Sequence, residues 1–431
     1  MNMQIQKTLS VVSGISIYAH DQILICQGSQ ETKMQIRRAF RFELCPSGAQ
    51  ARLMSRFAGS CRYVYNRTLA TEKSLYGKDK AHRFNYVECA NRLVLWKKKH
   101  SFLKECHSQV LQQALKDLEK GYKNFFAKRA KFPRFKKKFQ SDSFRFPQGF
   151  KIDEDKQRIY LPKIGTVGYR KSRSIIGKPK NITVSREGLK WFVSIQTEFE
   201  IEPKRMINSE IGIDMGVKKF VTFSNGTFVE PVNSLKNNLK QLAKLQKKLS
   251  RQQKGSSNSK KTKAKITKLH RRIANIRRDF LHKITTTIAK NHGIVFMEDL
   301  KVSNMSASAS GTVEQPGKKV RQKSGLNRSI LDQGWYSFKT MLAYKLEERG
   351  GLLVLVSPKN TSRTCPNCGY ISAKNRQTQE HFGCTKCGYK ENADVVGAIN
   401  VLRAGHARLA CEMNGAVRPL SAGTQRDLLQ Q

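Results

Sequence analysis

Cys365-Pro366-Asn367-Cys368-Gly369 and Cys384-Thr385-Lys386-Cys387-Gly388, with fifteen residues between the two cysteine pairs, set the frame for reading this chain. Two C-x₂-C pairs at this spacing close two tight knuckles around one tetrahedral ion. Thiolates favour zinc, and four of them leave no open coordination position, so Cys365, Cys368, Cys384 and Cys387 predict a structural zinc ribbon over 360–390. Gly369 and Gly388 follow the second cysteine of each pair, where a knuckle bends sharply and a residue at ease with φ > 0 is useful. The remaining cysteines, Cys26, Cys45, Cys61, Cys89, Cys106 and Cys411, show no framework spacing. Thiolates reserved for metal fit a reducing cytosol.

A zinc ribbon usually holds something else in place, and composition suggests what. The 431 residues carry 81 Lys+Arg against 32 Asp+Glu, a net charge of +49, with the sequence pI near 10.2. A chain so basic along its whole length binds polyanions and more readily encloses nucleic acid than touches it with one patch. No apolar run is long enough to span a bilayer, and basic amphipathic helices with aromatic anchors do not dominate. There is room for two or three domains.

Residues 1–33 hold an apolar stretch, Leu9 to Ile17, preceded by a single Lys7, a poor signal peptide. They read as an upstream extension from a misplaced start codon, expected to pack poorly. Patterned sequence begins at Met34. Phe40, Phe42 and Leu44 alternate with Arg41 and Glu43 as in a half-buried strand, Pro46 stops it, and Ser47 with Gln50 signals a capping box for a helix carrying Leu53, Phe57 and Val64. Helices continue to about residue 130, the clearest stripe being Leu111, Leu115, Leu118, Tyr122 and Phe125. Strand alternation returns over 144–200, best at Trp191, Val193, Ile195, Thr197 and Phe199. The order of elements predicts a β-barrel-like domain, 34–46 and 140–205, with a helical insertion over 47–139. Lys97, Lys98, Arg134, Lys136 and Lys137 lie in basic runs with aromatic neighbours and are candidate nucleic-acid contacts.

A third region, 206–431, starts with the short apolar strand Ile211-Gly212-Ile213-Asp214. Residues 231–283 hold seventeen Lys/Arg and one acid, Asp279. Two apolar stripes broken by Gly255 to Ser259 predict a basic helical hairpin over 231–290. A face built for solubility alone would mix signs, so phosphate contact is the better reading, with Lys247, Lys248, Arg271 and Arg272 as candidates. A strand ending at Glu298, a polar loop from Ser303 to Arg328, a helix near 330–349 and a strand at 352–357 lead into the ribbon. A helix opened by Asp394 and carrying Val395, Ile399 and Leu402 closes the pattern.

In a chain short of acids, Asp214 and Glu298 end apolar strands and Asp394 starts a helix. Carboxylates there are costly to ionise unless something positive meets them, and three converging ones would suit Mg²⁺ or Mn²⁺. Taken singly, Asp214 reads equally as a turn former, Glu298 as an ion-pair partner and Asp394 as a helix cap.

Ile211 to Val217, Val295-Phe296-Met297-Glu298-Asp299-Leu300, Thr361 to Gly369 and Asn392 to Asn400 occur in that order. This set resembles the TnpB (OrfB) family encoded by insertion sequences, relatives of type V CRISPR effectors, over about residues 34 to 405. The resemblance implies a multidomain α/β protein with an RNase H-like (RuvC) nuclease domain over 206–431. It implies that Asp214, Glu298 and Asp394 cut DNA with Mg²⁺ or Mn²⁺, and that a guide RNA from the element's own end directs the protein to double-stranded target DNA. The implied setting is a cytoplasmic, nucleoid-associated protein with no membrane partner; the sequence leaves the oligomeric state open, a monomer being favoured. Gly397 departs from the family's frequent Ala and is expected to be a tolerated change. A guide-bound repressor without cleavage and an RNA-independent junction resolvase are the competing readings. None of the nine histidines forms the His-x-His pair used by single-strand transposases.

Overall fold

Alternation of Phe40, Phe42 and Leu44 with Arg41 and Glu43 produces strand β1 (Met34–Cys45), the apolar residues buried and the charged ones on the opposite face. The computed structural model describes residues 34–413 apart from 139, 141 and 203–207, so the expectation for residues 1–33 lies outside the described residues. These residues form two compact units, one ending at Ile201 and the other beginning at Glu202.

In the first unit, helix α1 (Gly48–Lys78) starts with the expected capping box. Gln50 N donates to Ser47 Oγ at 3.2 Å, and Ser47 N donates to Gln50 Oε1 at 3.0 Å. Helices α2 (Tyr86–Lys99) and α3 (Ser108–Phe126) follow, then β2 (Ser143–Phe146), β3 (Lys151–Asp153), β4 (Arg158–Leu161), β5 (Gly165–Arg170), β6 (Lys178–Glu187) and β7 (Lys190–Ile201). The region anticipated as barrel-like is a seven-stranded antiparallel sheet in the order β2-β6-β7-β1-β5-β4-β3, with β2 and β3 at its two ends. The helices share one core with it: Phe57 of α1 sits 5.5 Å from Phe144 and 6.5 Å from Phe146, centroid to centroid, among Leu111, Leu115 and Trp191. Asn66 on α1 pins the basic-aromatic segment, donating to Lys136 O at 2.9 Å and accepting from Lys136 N at 2.7 Å.

The second unit contains β8 (Glu210–Met215), β9 (Val221–Phe223), β10 (Phe228–Val229), α4 (Leu239–Ser250), α5 (Ser257–Asn291), β11 (Ile294–Glu298), α6 (Val320–Gln333), α7 (Trp335–Glu347), β12 (Leu352–Val356), β13 (His381–Gly383), β14 (Lys390–Asn392) and α8 (Ala393–Met413). Its main sheet runs β10-β9-β8-β11-β12, with β8, β11 and β12 parallel. The parallel strands read as near-continuous apolar runs because both faces are covered. Odd-numbered residues Ile211, Ile213, Val295, Met297, Leu353 and Leu355 pack with Leu281 and Ile288 of α5 and Phe338 and Leu342 of α7. Even-numbered Phe296, Val354 and Val356 pack with Val401 of α8. Glycines let α8 come this close: a Cβ on Gly212 would lie 2.3 Å from Ala398 O, and one on Gly405 would lie 1.8 Å from the Phe296 ring.

Three elements differ from expectation. The helix near 330–349 is two helices, α6 and α7, broken at Gly334, whose φ of 72° is left-handed. The last third of the expected polar loop belongs to α6, which buries only Ile330, Asp332 and Gln333 and so lacks an apolar period. Asp332 anchors that helix, accepting from Ser234 Oγ at 2.8 Å, Leu235 N at 2.9 Å and Arg277 Nη2 at 2.5 Å. On α8 the buried apolar side chains are Ala393, Val396, Ala398 and Val401, while Val395 and Ile399 are half-buried, because the close approach at Gly212 favours small side chains. The basic hairpin is present, α4 and α5 meeting through Leu242, Leu269 and Ile273. No helix among the described residues is long and apolar enough to cross a membrane.

Candidate active site and metal centre

Strands β8 and β11 pair in parallel register from Glu210↔Ile294 to Ile213↔Met297, so the next step sets Asp214 beside Glu298 on the face that α8 covers. Helix α8 begins at that point. Asn392 Oδ1 accepts from Asp394 N at 3.0 Å and Val395 N at 3.4 Å, which places Asp394 in the first turn. One turn on, a Cβ at Gly397 would lie 3.1 Å from Asp214 Oδ2, so glycine here leaves room for the carboxylate and alanine would crowd it. The three acids thus meet at one end of the sheet.

Their charges oppose one another. Burial, then the negative charges of Glu298 and Asp394, push Asp214 up to about 7. Burial also raises Glu298, opposed by a hydrogen bond of 2.6 Å from Thr361 Oγ1 and by the Arg376 guanidinium. Arg376, from the ribbon, comes within 3.6 Å of Asp394 Oδ1. Asn400 of α8 fixes the neighbouring loop by donating to Thr361 O at 2.7 Å and Thr364 O at 2.8 Å. Hard oxygen donors whose ionisation is mutually unfavourable fit a divalent cation, which would relieve the repulsion.

The four cysteine sulfurs lie within 4.8 Å of one another, the one such donor group among the described residues; the three carboxylates are spaced more widely. Cys365–Cys387 and Cys368–Cys384 sulfurs are each 3.6 Å apart. Tetrahedral zinc with Zn–S of about 2.3 Å separates its sulfurs by about 3.8 Å, so the set could hold one zinc. Burial opposes ionisation of Cys384, yet N–H groups of Cys387 and Lys386 at 3.5 and 3.4 Å bring its thiol to about 6. Gly369 and Gly388 take φ of 71° and 74°, as the knuckles require. Asn375, fully buried, ties the knuckles by donating to Arg363 O and Tyr370 O at 3.0 Å and accepting from Thr385 N at 3.1 Å.

Of the candidate nucleic-acid contacts, Lys98, Arg134, Lys137, Lys247, Lys248 and Arg272 are exposed and Arg271 is half-buried. Lys97 donates to Ser108 Oγ at 2.7 Å, and Lys136 Nζ lies over the Tyr65 ring, 4.2 Å from its centroid, so both have intramolecular roles. Arg376 and Asn375 escaped the sequence reading, and Thr361 and Asn400 lay inside the quoted motifs without an assigned role. Polar residues in loops carry no periodic signal, although their flanking of the cysteine and acid motifs was a usable hint.

Three family models match: one described as "Probable transposase" over residues 192–309, a "Cas12f1-like, TNB domain" over 335–401, and a "Helix-turn-helix domain" over 34–81, which here is β1 with one long helix. The "Putative RNA-guided DNA endonuclease InsQ" of Escherichia coli (strain K12) is 54% identical, covering 90% of this chain and 97% of its own. A "Putative RNA-guided DNA endonuclease" of Streptomyces pristinaespiralis is 34% identical, covering 92% and 96%. The solved "Cas12f1-sgRNA-target DNA complex" shares the fold with a TM-score of 0.51 at 14% identity, over 86% of this chain and 98% of that one. The fold is multidomain α/β. With a relative matched along nearly its full length, the chain belongs to the TnpB (OrfB) family of insertion sequences.

Replacing Asp214 by Asn should stabilise the metal-free protein at pH 7.5. A folded-state value of about 7 exceeds the unfolded one of 3.8, so the folded chain holds the proton more tightly between these pH values. Ionisation therefore opposes folding increasingly from about pH 4 to 7 and fully above, by up to about 4 kcal/mol. D214N should raise the thermal midpoint at pH 7.5, change it little near pH 4, and remove most of the Mg²⁺-induced rise expected of the parent; a lower midpoint at pH 7.5 would contradict the crowding. Replacing Cys384 by Ser should abolish the zinc released on denaturation, read with a chromogenic chelator, and lower the midpoint of the second unit. Unchanged zinc would rule out the four-sulfur site.

Proposed function

We propose that this chain is an RNA-guided DNA endonuclease whose second unit is an RNase H-like (RuvC) nuclease domain. The observation that carries the reading is the meeting of Asp214, Glu298 and Asp394 at one end of a β10-β9-β8-β11-β12 sheet. Those acids would hold Mg²⁺ or Mn²⁺, which when bound activates a water and stabilises the leaving 3′-oxygen of a phosphodiester, most simply as a two-metal pair. The rest is the protein's own work. Thr361 holds the Glu298 carboxylate through its hydroxyl, Asn400 holds the Thr361 loop, and Arg376 faces Asp394 from the ribbon. The zinc knuckles over 360–390 are structural and fix the loop that bears Arg376.

The domain plan follows: a sheet domain from 34–46 and 140–205 with a helical insertion over 47–139 for guide RNA and guide–target duplex, and the nuclease domain from 206 with the basic hairpin at 231–290. Base pairing would read the target while the basic surface reads backbone shape, so the side chains need supply little sequence discrimination. Lys98, Arg134, Lys137, Lys247, Lys248 and Arg272 are exposed for phosphate contact. The chain would act as a monomer in the cytoplasm on double-stranded DNA, with an RNA transcribed from its own element. Two relatives that bear the name "Putative RNA-guided DNA endonuclease" support the assignment.

Protein co-expressed with its flanking DNA should co-purify with one defined RNA from the adjacent element end. It should linearise a plasmid carrying the matching target in Mg²⁺, and D214A should bind that plasmid without cutting. Heterogeneous RNA would remove the guided mechanism. Binding without cleavage by the parent would favour the repressor reading, and cleavage that survives RNase treatment would favour a resolvase.

A further inference from the structure

Two lysines, Lys218 and Lys219, sit in the turn between β8 and β9, just beyond Asp214. Gly216 shapes that turn: its N–H donates to Phe220 O at 3.3 Å, and a Cβ there would lie 2.7 Å from Lys219 O. The two side chains then diverge. Lys219 Nζ lies over the Phe228 ring, 4.3 Å from its centroid, while Lys218 Nζ donates to Glu380 Oε1 of the ribbon loop at 2.8 Å. Glu380 is fixed at the rim of the acid cluster through its backbone, because its carbonyl accepts from Ala393 N, the residue before Asp394, at 2.9 Å. Lys218 also feels Asp394: its affinity for its proton is raised first by the hydrogen bond to Glu380 and further by the Asp394 charge. A cation thus stands at the mouth of the carboxylate site, held by an anion from the opposite lip.

Both members of the pair are well exposed, with side chains 60% and 54% accessible, so the contact is cheap to break. A phosphate approaching the carboxylates needs a positive group beside it and repels Glu380. Lysine suits this task, being a compact point charge on a flexible stem that can swing from one oxygen donor to another.

We propose that Lys218 grips a phosphate of the DNA strand entering the acid cluster, and that Glu380 holds the lysine until the strand arrives. The inference rests on the nuclease reading above and adds a substrate-positioning residue to it. It also explains why the ribbon presents both signs at this edge, with Arg376 toward Asp394 and Glu380 toward Lys218.

The test uses guide-loaded protein carrying K218Q, K218R, E380Q or K218Q/E380Q, with thermal midpoints confirming that each folds. In single-turnover cleavage at saturating Mg²⁺, K218Q should weaken the dependence on DNA concentration by about tenfold, the scale of one charge-assisted contact, and K218R should restore most of it. E380Q should tighten DNA binding at low salt by a few-fold, and the double variant should fall between K218Q and E380Q. In a D214N background, where strand binding is read without cutting, K218Q should reduce the slope of log affinity against log salt by about 0.7 for a short single-stranded oligonucleotide. K218Q indistinguishable from the parent in both assays would overturn the proposal, as would E380Q losing affinity to the same degree as K218Q, which marks a merely structural clasp. A parent that fails to cleave would count against the nuclease reading alone, since the binding slope still reports on Lys218.

Discussion

Like charges forced together govern this structure. Parallel register sets Asp214 beside Glu298, and α8 brings Asp394 to the same corner because glycines at 212 and 405 let the helix settle on the sheet. Each carboxylate raises the cost of ionising Asp214 in a setting already short of water. A sheet stabilised only by packing would place apolar groups there. Retaining acids at this corner makes the fold poised for a cation, and the neighbouring Thr361 hydroxyl and Arg376 guanidinium temper the repulsion.

The ribbon is best understood through the same corner. Its sulfur spacing suits one zinc, and Asn375 locks the two knuckles together from within. Rigidity gained there is passed to the loop carrying Arg376 and Glu380, and through Ala393 N to the first turn of α8. A zinc ion held by these sulfurs would thereby help position the residues around the acids. The strongly basic remainder of the chain supplies the field in which a polyanion would approach.

Much of this was legible in the residues themselves. The C-x₂-C pairs, the capping box at Ser47 and Gln50, and the apolar strands that carry Asp214 and Glu298 near their ends all carry local signals that survive folding. What escaped depends on contacts distant in sequence. Gly212 reads as an ordinary strand residue until a helix arrives from nearly two hundred residues away. Arg376 resembles any surface cation until Asp394 lies 3.6 Å from it. Helix α6 was hidden because it is held by Asp332 and three other groups in place of an apolar stripe, and the break at Gly334 needs the left-handed backbone to be seen. Gly397, anticipated as a neutral departure, proves to border Asp214.

Anomalous scattering from crystals grown with Mn²⁺ tests the central claim most directly. Peaks should lie between the carboxylates of Asp214, Glu298 and Asp394, and the three should draw closer than in the metal-free chain. Manganese bound elsewhere, with that corner empty at saturating concentration, would contradict the account.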